Sequence, residues 1–493
     1  MPCERAVASG AIALATALAS TRVRADLPAS GERIRTHDYA IDLSQTAVLS
    51  STRVTGLSGA FVAIGEGVDG TAQNPAAAAF RFPWSRDHFD YDLGFGFMRS
   101  SALSNSDFFN SGRRIQARNE DESFLFLSVA IGLQFGNWGF AVSSDLQSYG
   151  VNRSGVAEAP SERLVADFAI SHLLAAYAFA DGQLLIGVGQ RSGALDVGKE
   201  SDGADQALFS ALGAGYEGGI LIRPNQQRFR IGAAVRSTVE AEASASSRVR
   251  VLYPDEPDNA LYLPDRVTLP WNVSVGFALQ LGPRPLNPRF IDPHDELEEL
   301  ERFLSYREGE RERRRDRELA RTAGEPELEA RRRALDAELG TEAALDAVHR
   351  KRARAELDRK LKSRYLALER RHLLITTSLE VLGAVDDAVG VESFLERRVQ
   401  RAGRKVSVSP RLGLETEPIA HWLRVRAGTY LEPTRFDDNP NGTRLHGTLG
   451  LDQRIVDWSV FGLFPEGSIF RATGSLDIAE RYFTWGAAVG LWH

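Results

Sequence analysis

The sequence predicts an all-β fold: a transmembrane antiparallel β-barrel of about fourteen strands, with an N-terminal lumenal hatch and an inserted charged α-helical segment. Three observations predict it. Stretches of ten or so residues alternate apolar and polar side chains. The connections between them alternate short and long. Their number is even, as closure of a single-chain bacterial barrel requires.

In chain order, the first element is an export signal over residues 1–25. Its core "VASGAIALATALAS" is apolar and alanine-rich, follows Arg5, and ends on the small residues Ala17 and Ala19, with a second cleavage site at Ala25. It is too short and too weakly apolar for a spanning helix. Cys3, the only cysteine, lies inside it, so the mature chain has no disulfide, thiolate metal site or cysteine nucleophile.

Residues 26–87 come next, and no regular element suits them. "GLSGAFVAIGEGVDGTAQNPAAAAF", from Gly56 to Phe80, is rich in glycine and small residues. Glycine permits close backbone approach and positive φ, so such a segment packs inside a barrel without long side chains. Pro75 fixes its own φ and pushes Asn74 out of the helical region, leaving the Asn74 amide to bond backbone groups.

Strands 1–8 follow over 88–283, beginning near His88, Glu122, Trp138, Arg163, Gln183, Gln206, Arg228 and Asp265. Leu269, Trp271, Val273, Val275, Phe277, Leu279 and Leu281 are apolar at every second position. Phe229, Ile231, Ala233 and Val235 alternate with Arg228, Arg230 and Arg236. Period two sets neighbouring side chains on opposite faces of a strand. The opposite face is glycine, serine and arginine, which suits a wet, partly charged lumen behind a lipid-facing surface. Short connections lie near Gly136, Asp181 and Pro224. Long ones precede Glu122, follow Val151, surround Ser201 and precede Asp265. The short series of a bacterial barrel is periplasmic.

Residues 284–371 depart from this pattern. From His294 to Arg371 the 78 positions hold 20 acidic and 21 basic residues, a balance that excludes a nucleic-acid patch. Leu297, Leu300 and Leu304 form one thin helical stripe, and Val348, Leu357, Leu361, Tyr365 and Leu368 another. Glu310–Arg314 and Glu356–Lys360 sit one turn apart, acid first. The block replaces a short connection, so it should hang into the periplasm.

Strands 9–14, over 372–493, begin near His372, Arg404, Trp422, Thr443, Val456 and Arg481. Val406, Val408, Leu412 and Leu414 face away from Ser407, Arg411 and Glu415. Leu423, Val425, Ala427 and Leu431 alternate with Arg424, Arg426, Gly428 and Glu432. The last strand alternates through Phe483, Trp485, Ala487, Val489 and Leu491.

The hatch segment resembles that of the FadL/TodX (OMPP1) family of outer-membrane transporters of long-chain fatty acids and aromatic hydrocarbons. The matching positions are Gly59-Ala60-Phe61 with the following Val62 and Ala63, then Asn74-Pro75-Ala76. "TLPWNVSVGFAL" (Thr268 to Leu279) and "VSPRLGLETEP" through "LRVRAGTYLEP" (Val408 to Pro433) are similar to strands of that family. The resemblance implies a Gram-negative outer-membrane location and lipid contact. It also implies uptake of a hydrophobic small molecule gated by the hatch residues Gly59, Ala60, Phe61, Asn74, Pro75 and Ala76. The other reading is a scaffold barrel that anchors the helices to a periplasmic or secretion-system partner. Enzyme chemistry is not expected. No G-x-S-x-G motif or metal-ligand spacing is present, no cofactor or metal is implied, and a net charge of -7 argues against nucleic acid.

Overall fold

The computed structural model describes residues 27–82, 88–100, 107–112, 123–153, 162–201, 204–245, 250–252, 260–289, 291, 293–321, 328–457 and 469–491. The export signal expected over 1–25 lies outside them. Fourteen long strands make one antiparallel sheet. They are β1 (Phe89–Ser100), β2 (Ser123–Phe135), β3 (Trp138–Arg153), β4 (Glu162–Phe179), β5 (Leu184–Ser201), β6 (Ala204–Ile222) and β7 (Phe229–Arg236). The remainder are β8 (Asn272–Leu281), β9 (Leu373–Leu382), β10 (Ser407–Ile419), β11 (Leu423–Glu432), β12 (Arg444–Asp457), β13 (Ile469–Ala479) and β14 (Tyr482–Leu491). Each pairs with its sequence neighbours, and β14 returns to β1 with Val489 opposite Phe95, so the sheet closes. A two-residue strand, Ser244–Ala245, is added beside β6.

The alternation read from sequence sorts inside from outside. On β8, Val275 and Phe277 are exposed while Ser274, Ala278 and Gln280 are buried. On β10 and β11 the same split exposes Val408, Leu412 and Leu414 and buries Glu415, Arg424 and Arg426. A continuous apolar outer surface of this kind is what a bilayer covers. Phe89, Phe135, Trp138 and Phe179 are exposed at the short-turn end, with Phe89 and Phe135 rings 4.9 Å apart and Trp138 and Tyr177 4.8 Å apart. They form part of the aromatic girdle expected at a membrane–water boundary.

At the opposite end a five-stranded cap stands over the lumen. Its centre is the short strand Ala40–Asp42, parallel to Arg266–Leu269 on one side and Ala388–Gly390 on the other. The helix Val391–Leu395 joins it. β4, β5 and β6 run 18, 18 and 19 residues against 10 for β8 and β9, and the extra length is a wall for the cap. Leu164, Phe168, Leu195 and Phe209 of that wall share one buried cluster with Ile41, Leu43 and Phe394.

Several boundaries differ from the sequence reading. The stretch from Asp265 does not open the eighth strand. Arg266–Leu269 belongs to the cap, and Pro270, which has no N–H to donate, separates it from β8. Val456 lies in β12, opposite Phe470 of β13. Where a long connection is expected around Ser201, Lys199 and Glu200 still pair with Gln206 and Asp205, so β5 and β6 continue through it. Residues 31–34 of the N-terminal segment lie at the cap. Gly31 and Ile34 donate to the carbonyls of Val399 and Arg397 at the cap, and the chain then descends through the barrel to β1.

The charged block forms two long helices, α1 (Pro293–Arg321) and α2 (Leu328–Leu366), which leave the barrel at the end that carries the short turns. Arg307–Asp346 at 2.6 Å, Arg314–Glu342 at 2.8 Å and Arg350–Glu301 at 2.9 Å join them as an antiparallel hairpin around Leu304, Leu335, Leu339 and Leu357. Arg314 thus pairs across the hairpin rather than with Glu310, which bonds Arg313. Val348, expected on an apolar stripe, is exposed. No helix among the described residues is long and apolar enough to cross a membrane.

Candidate functional site

The lumen is filled by residues 50–80. Ser51 caps a single turn, Thr52–Gly56, by accepting from the Val54 N–H. Two tight reversals follow, helped by positive φ at Ser58, Gly59, Gly65 and Gly67. A second turn, Gly67–Thr71, precedes the 3₁₀ turn Pro75–Ala79. Asn74 is extended, as the following proline requires, and its Oδ1 accepts from the Ala76 N–H at 3.0 Å to cap that turn. Its Nδ2 donates to the carbonyl of Val62 at 2.9 Å and to that of Ile220 in β6 at 3.0 Å. One buried amide therefore joins the two halves of the hatch and ties both to the wall.

All six hatch positions read from sequence are buried there. Gly59 has φ +73, a conformation strained for a residue with a side chain, and a Cβ would lie 2.5 Å from Nη1 of Arg411, which would have to move. The Ala60 carbonyl accepts from the Thr376 hydroxyl at 2.7 Å. The Phe61 ring lies 5.2 Å from the guanidinium of Arg53. Pro75 and Ala76 press on β5 and β6.

The wall receives this segment through glycines matched in register. Gly187 and Gly219 are opposite each other on β5 and β6 and face Pro75 and Asn74. Gly232 and Gly276, opposite on β7 and β8, face Val62. Gly413 and Gly428, opposite on β10 and β11, face Leu57 and Ser58. A Cβ at any of the six would enter the hatch; at Gly413 it would stand 2.8 Å from the Leu57 carbonyl oxygen.

Charge completes the seating. Arg53 of the hatch meets Glu66 at 2.9 Å and Glu415 of β10 at 3.3 Å, and Glu66 meets Arg230 of β7 at 2.7 Å. Glu415 also takes Arg426 at 2.6 Å, which holds Asp452 at 2.6 Å; Arg471 spans Asp452 at 3.0 Å and hatch Asp69 at 3.2 Å. Burial alone would raise the Glu66 carboxyl, but Arg230 and Arg53 outweigh it and hold it at about 2. Removing one partner of a buried pair strands the other charge, at about 3–5 kcal/mol. The wall members occupy inward positions visible in the alternation. Arg53, Glu66 and Asp69 carried no such signal, and the pairing across the lumen is a property of closure.

Three spaces follow one another through shared lining residues. Beneath the cap, Leu43, Phe108, Phe109, Tyr149, Phe168 and Phe436 surround about 690 Å³ of empty space, including its mouth. Leu43 and Phe168 also border the next space, which adds Ile170, His172, Arg191 and Arg411 and reaches hatch residue Gln73. Beyond the hatch, a space of about 1480 Å³ including its mouth opens towards the short turns and the base of the helical hairpin. Ala72 of the hatch borders both of the last two. Among the described residues no cluster of His, Cys, Asp or Glu could hold a metal ion.

The sequence matches no family model and no curated protein. Among solved structures the chain is similar to a Pseudomonas aeruginosa FadL homologue, with 11% identity and a TM-score of 0.44 over 91% of this chain and 98% of that one. It is likewise similar to the CymD monoaromatic hydrocarbon channel, with 9% identity and a TM-score of 0.45 over 91% and 97%. A third similar structure is the P. putida toluene transporter TodX, with 10% identity and a TM-score of 0.45 over 91% and 97%.

Proposed function

We propose that this protein is an outer-membrane channel that takes up a hydrophobic small molecule and passes it inward past a lumenal hatch. The observation that carries the reading is the succession of spaces, linked by shared lining residues, on either side of the hatch. An aromatic vestibule leads to a segment packed against the wall, with a second space beyond. An apolar solute gains free energy by leaving water for such a vestibule, at about 25 cal/mol per Å² buried, whereas a water-filled pore offers it nothing. Gly59, Ala60, Phe61, Asn74, Pro75 and Ala76 form the resting closure in this reading. The hairpin of α1 and α2 then faces the periplasm, since it shares the end of the short turns.

Uptake of radiolabelled long-chain fatty acid and of toluene, by cells with and without the gene, tests the reading. Faster uptake of either in the expressing cells is the expected result. Equal rates, with the barrel present in the outer membrane in equal amount, would refute it.

A further inference from the structure

At the short-turn end of the lumen, three guanidiniums converge on one carboxylate. Glu417 lies 3.2 Å from Arg424, 3.3 Å from Arg284 and 3.9 Å from Arg370. Arg370 and Arg424 are 4% and 5% exposed, so this charge is held out of water. Among the described residues, Glu417 is the carboxylate that all three approach. Glu415, the next inward carboxylate on β10, is already taken by Arg53 at 3.3 Å and Arg426 at 2.6 Å.

Arg370 has two N–H groups, at Nε and Nη1, with no hydrogen-bond acceptor, while its guanidinium lies 4.8 Å from the Tyr365 ring. A buried donor left unmade is costly. Arg284, Arg370, Arg424 and His372 all border the space beneath the hatch. Burial lowers the Arg284 guanidinium to about 10, with Arg424 and Arg370 adding to the shift; it is still charged at neutral pH.

We propose that Arg284, Arg370 and Arg424 form an oxyanion site at the short-turn mouth of the lumen. It takes a phosphate, sulfate or carboxylate group, either as the free anion or as the headgroup of an amphiphile. The oxygens of such a group accept from the unused Arg370 N–H groups through charge-assisted hydrogen bonds. Arg284 precedes the helical hairpin and Arg370 follows it, so the ligand also bridges both ends of the insert. The site stands apart from the channel reading, since an anion can bind there whether or not anything crosses the hatch.

The test is calorimetric titration of the purified full-length barrel, in a non-ionic maltoside detergent, with inorganic phosphate and then with decyl phosphate. Saturable binding near one per chain is expected, weakened about tenfold or more by Arg370→Gln, which removes a charge-assisted contact. Arg307→Gln, in the hairpin, should leave it unchanged. Similar affinities for the two probes indicate a free-anion site, and much tighter decyl phosphate indicates a headgroup site; both support the proposal. Heat-modifiability on a gel reports folding. If Arg370→Gln does not fold, Arg284→Gln, at a more exposed position, takes its place. Absence of saturable binding by the unsubstituted protein, or equal binding by the folded glutamine variant, overturns the proposal.

Discussion

Asn74 of the hatch donates to the carbonyl of Ile220 in the barrel wall at 3.0 Å, from a side chain with no solvent exposure. The neighbouring Gly219 allows the approach: a Cβ there would collide with Asn74 Oδ1 and lie 2.8 Å from Pro75 Cδ. Asn74→Ala removes this bond and those to Val62 and Ala76, leaving buried groups unpaired at roughly 1–3 kcal/mol each. The barrel, closed by its own ladder, should still insert. We expect a heat-modifiable protein with raised single-channel conductance to small ions. Conductance equal to that of the unsubstituted barrel would show that Asn74 does not hold the hatch.

The glycine pairs give a second expectation. Gly187→Val and Gly219→Val place side chains where Pro75 and Asn74 now sit, while β-branched residues favour the strand itself. Each should assemble and leak. Gly447→Val on β12 is the control, because nothing lies within 4 Å of a Cβ there. Protease cleavage within 50–80 in the first two variants, and none in the third, is the expected pattern.

Glu66 makes hatch seating pH-dependent. Its carboxyl is depressed from an ordinary 4.5 to about 2 in the folded state. A depressed acid stabilises fully above its unfolded pKa, and the contribution declines as pH falls from 4.5 towards about 2. Leak conductance should therefore rise across that window. Glu66→Gln should leak already at pH 7 and change less over the window. Identical pH profiles for the two proteins would exclude Glu66 as a clasp.

The helical hairpin should be dispensable for the barrel. Leu281 ends β8 directly opposite Leu373, which begins β9, so a short linker can replace 291–366. Among the described ion pairs, those of α1 and α2 run largely within and between the two helices. The shortened protein should insert and stay heat-modifiable. Failure to insert would make the hairpin part of the fold.

The fold was legible because a closed barrel with an apolar outer surface follows a strict rule: Val408, Leu412 and Leu414 face outward and Glu415 inward, so period two is written over each strand. Beyond that apolar band the rule lapses but pairing does not. Lys199 opposite Gln206 continues β5 and β6 with no apolar signal, where the sequence suggests a long loop. Arg266–Leu269 shows the converse, an apolar strand that serves the cap. Of the hatch, the turn-forming residues Gly59, Asn74 and Pro75 declare themselves by local conformation. Arg53, Glu66 and Asp69 do not, since their partners Glu415, Arg230 and Arg471 come from distant strands that only closure brings together.

The central claim is that hydrophobic molecules pass only when the hatch moves. Ser58 Oγ and Thr448 Oγ1 are 2.8 Å apart across the hatch–wall boundary, close enough for a disulfide in the Ser58→Cys/Thr448→Cys double variant. Cys3 is the only native cysteine and lies within the expected export signal. Labelled fatty acid and toluene uptake should be measured on cells expressing this variant, oxidised and then reduced. The account predicts uptake abolished by oxidation and restored by reductant. Uptake that proceeds unchanged with the disulfide fully formed would contradict it.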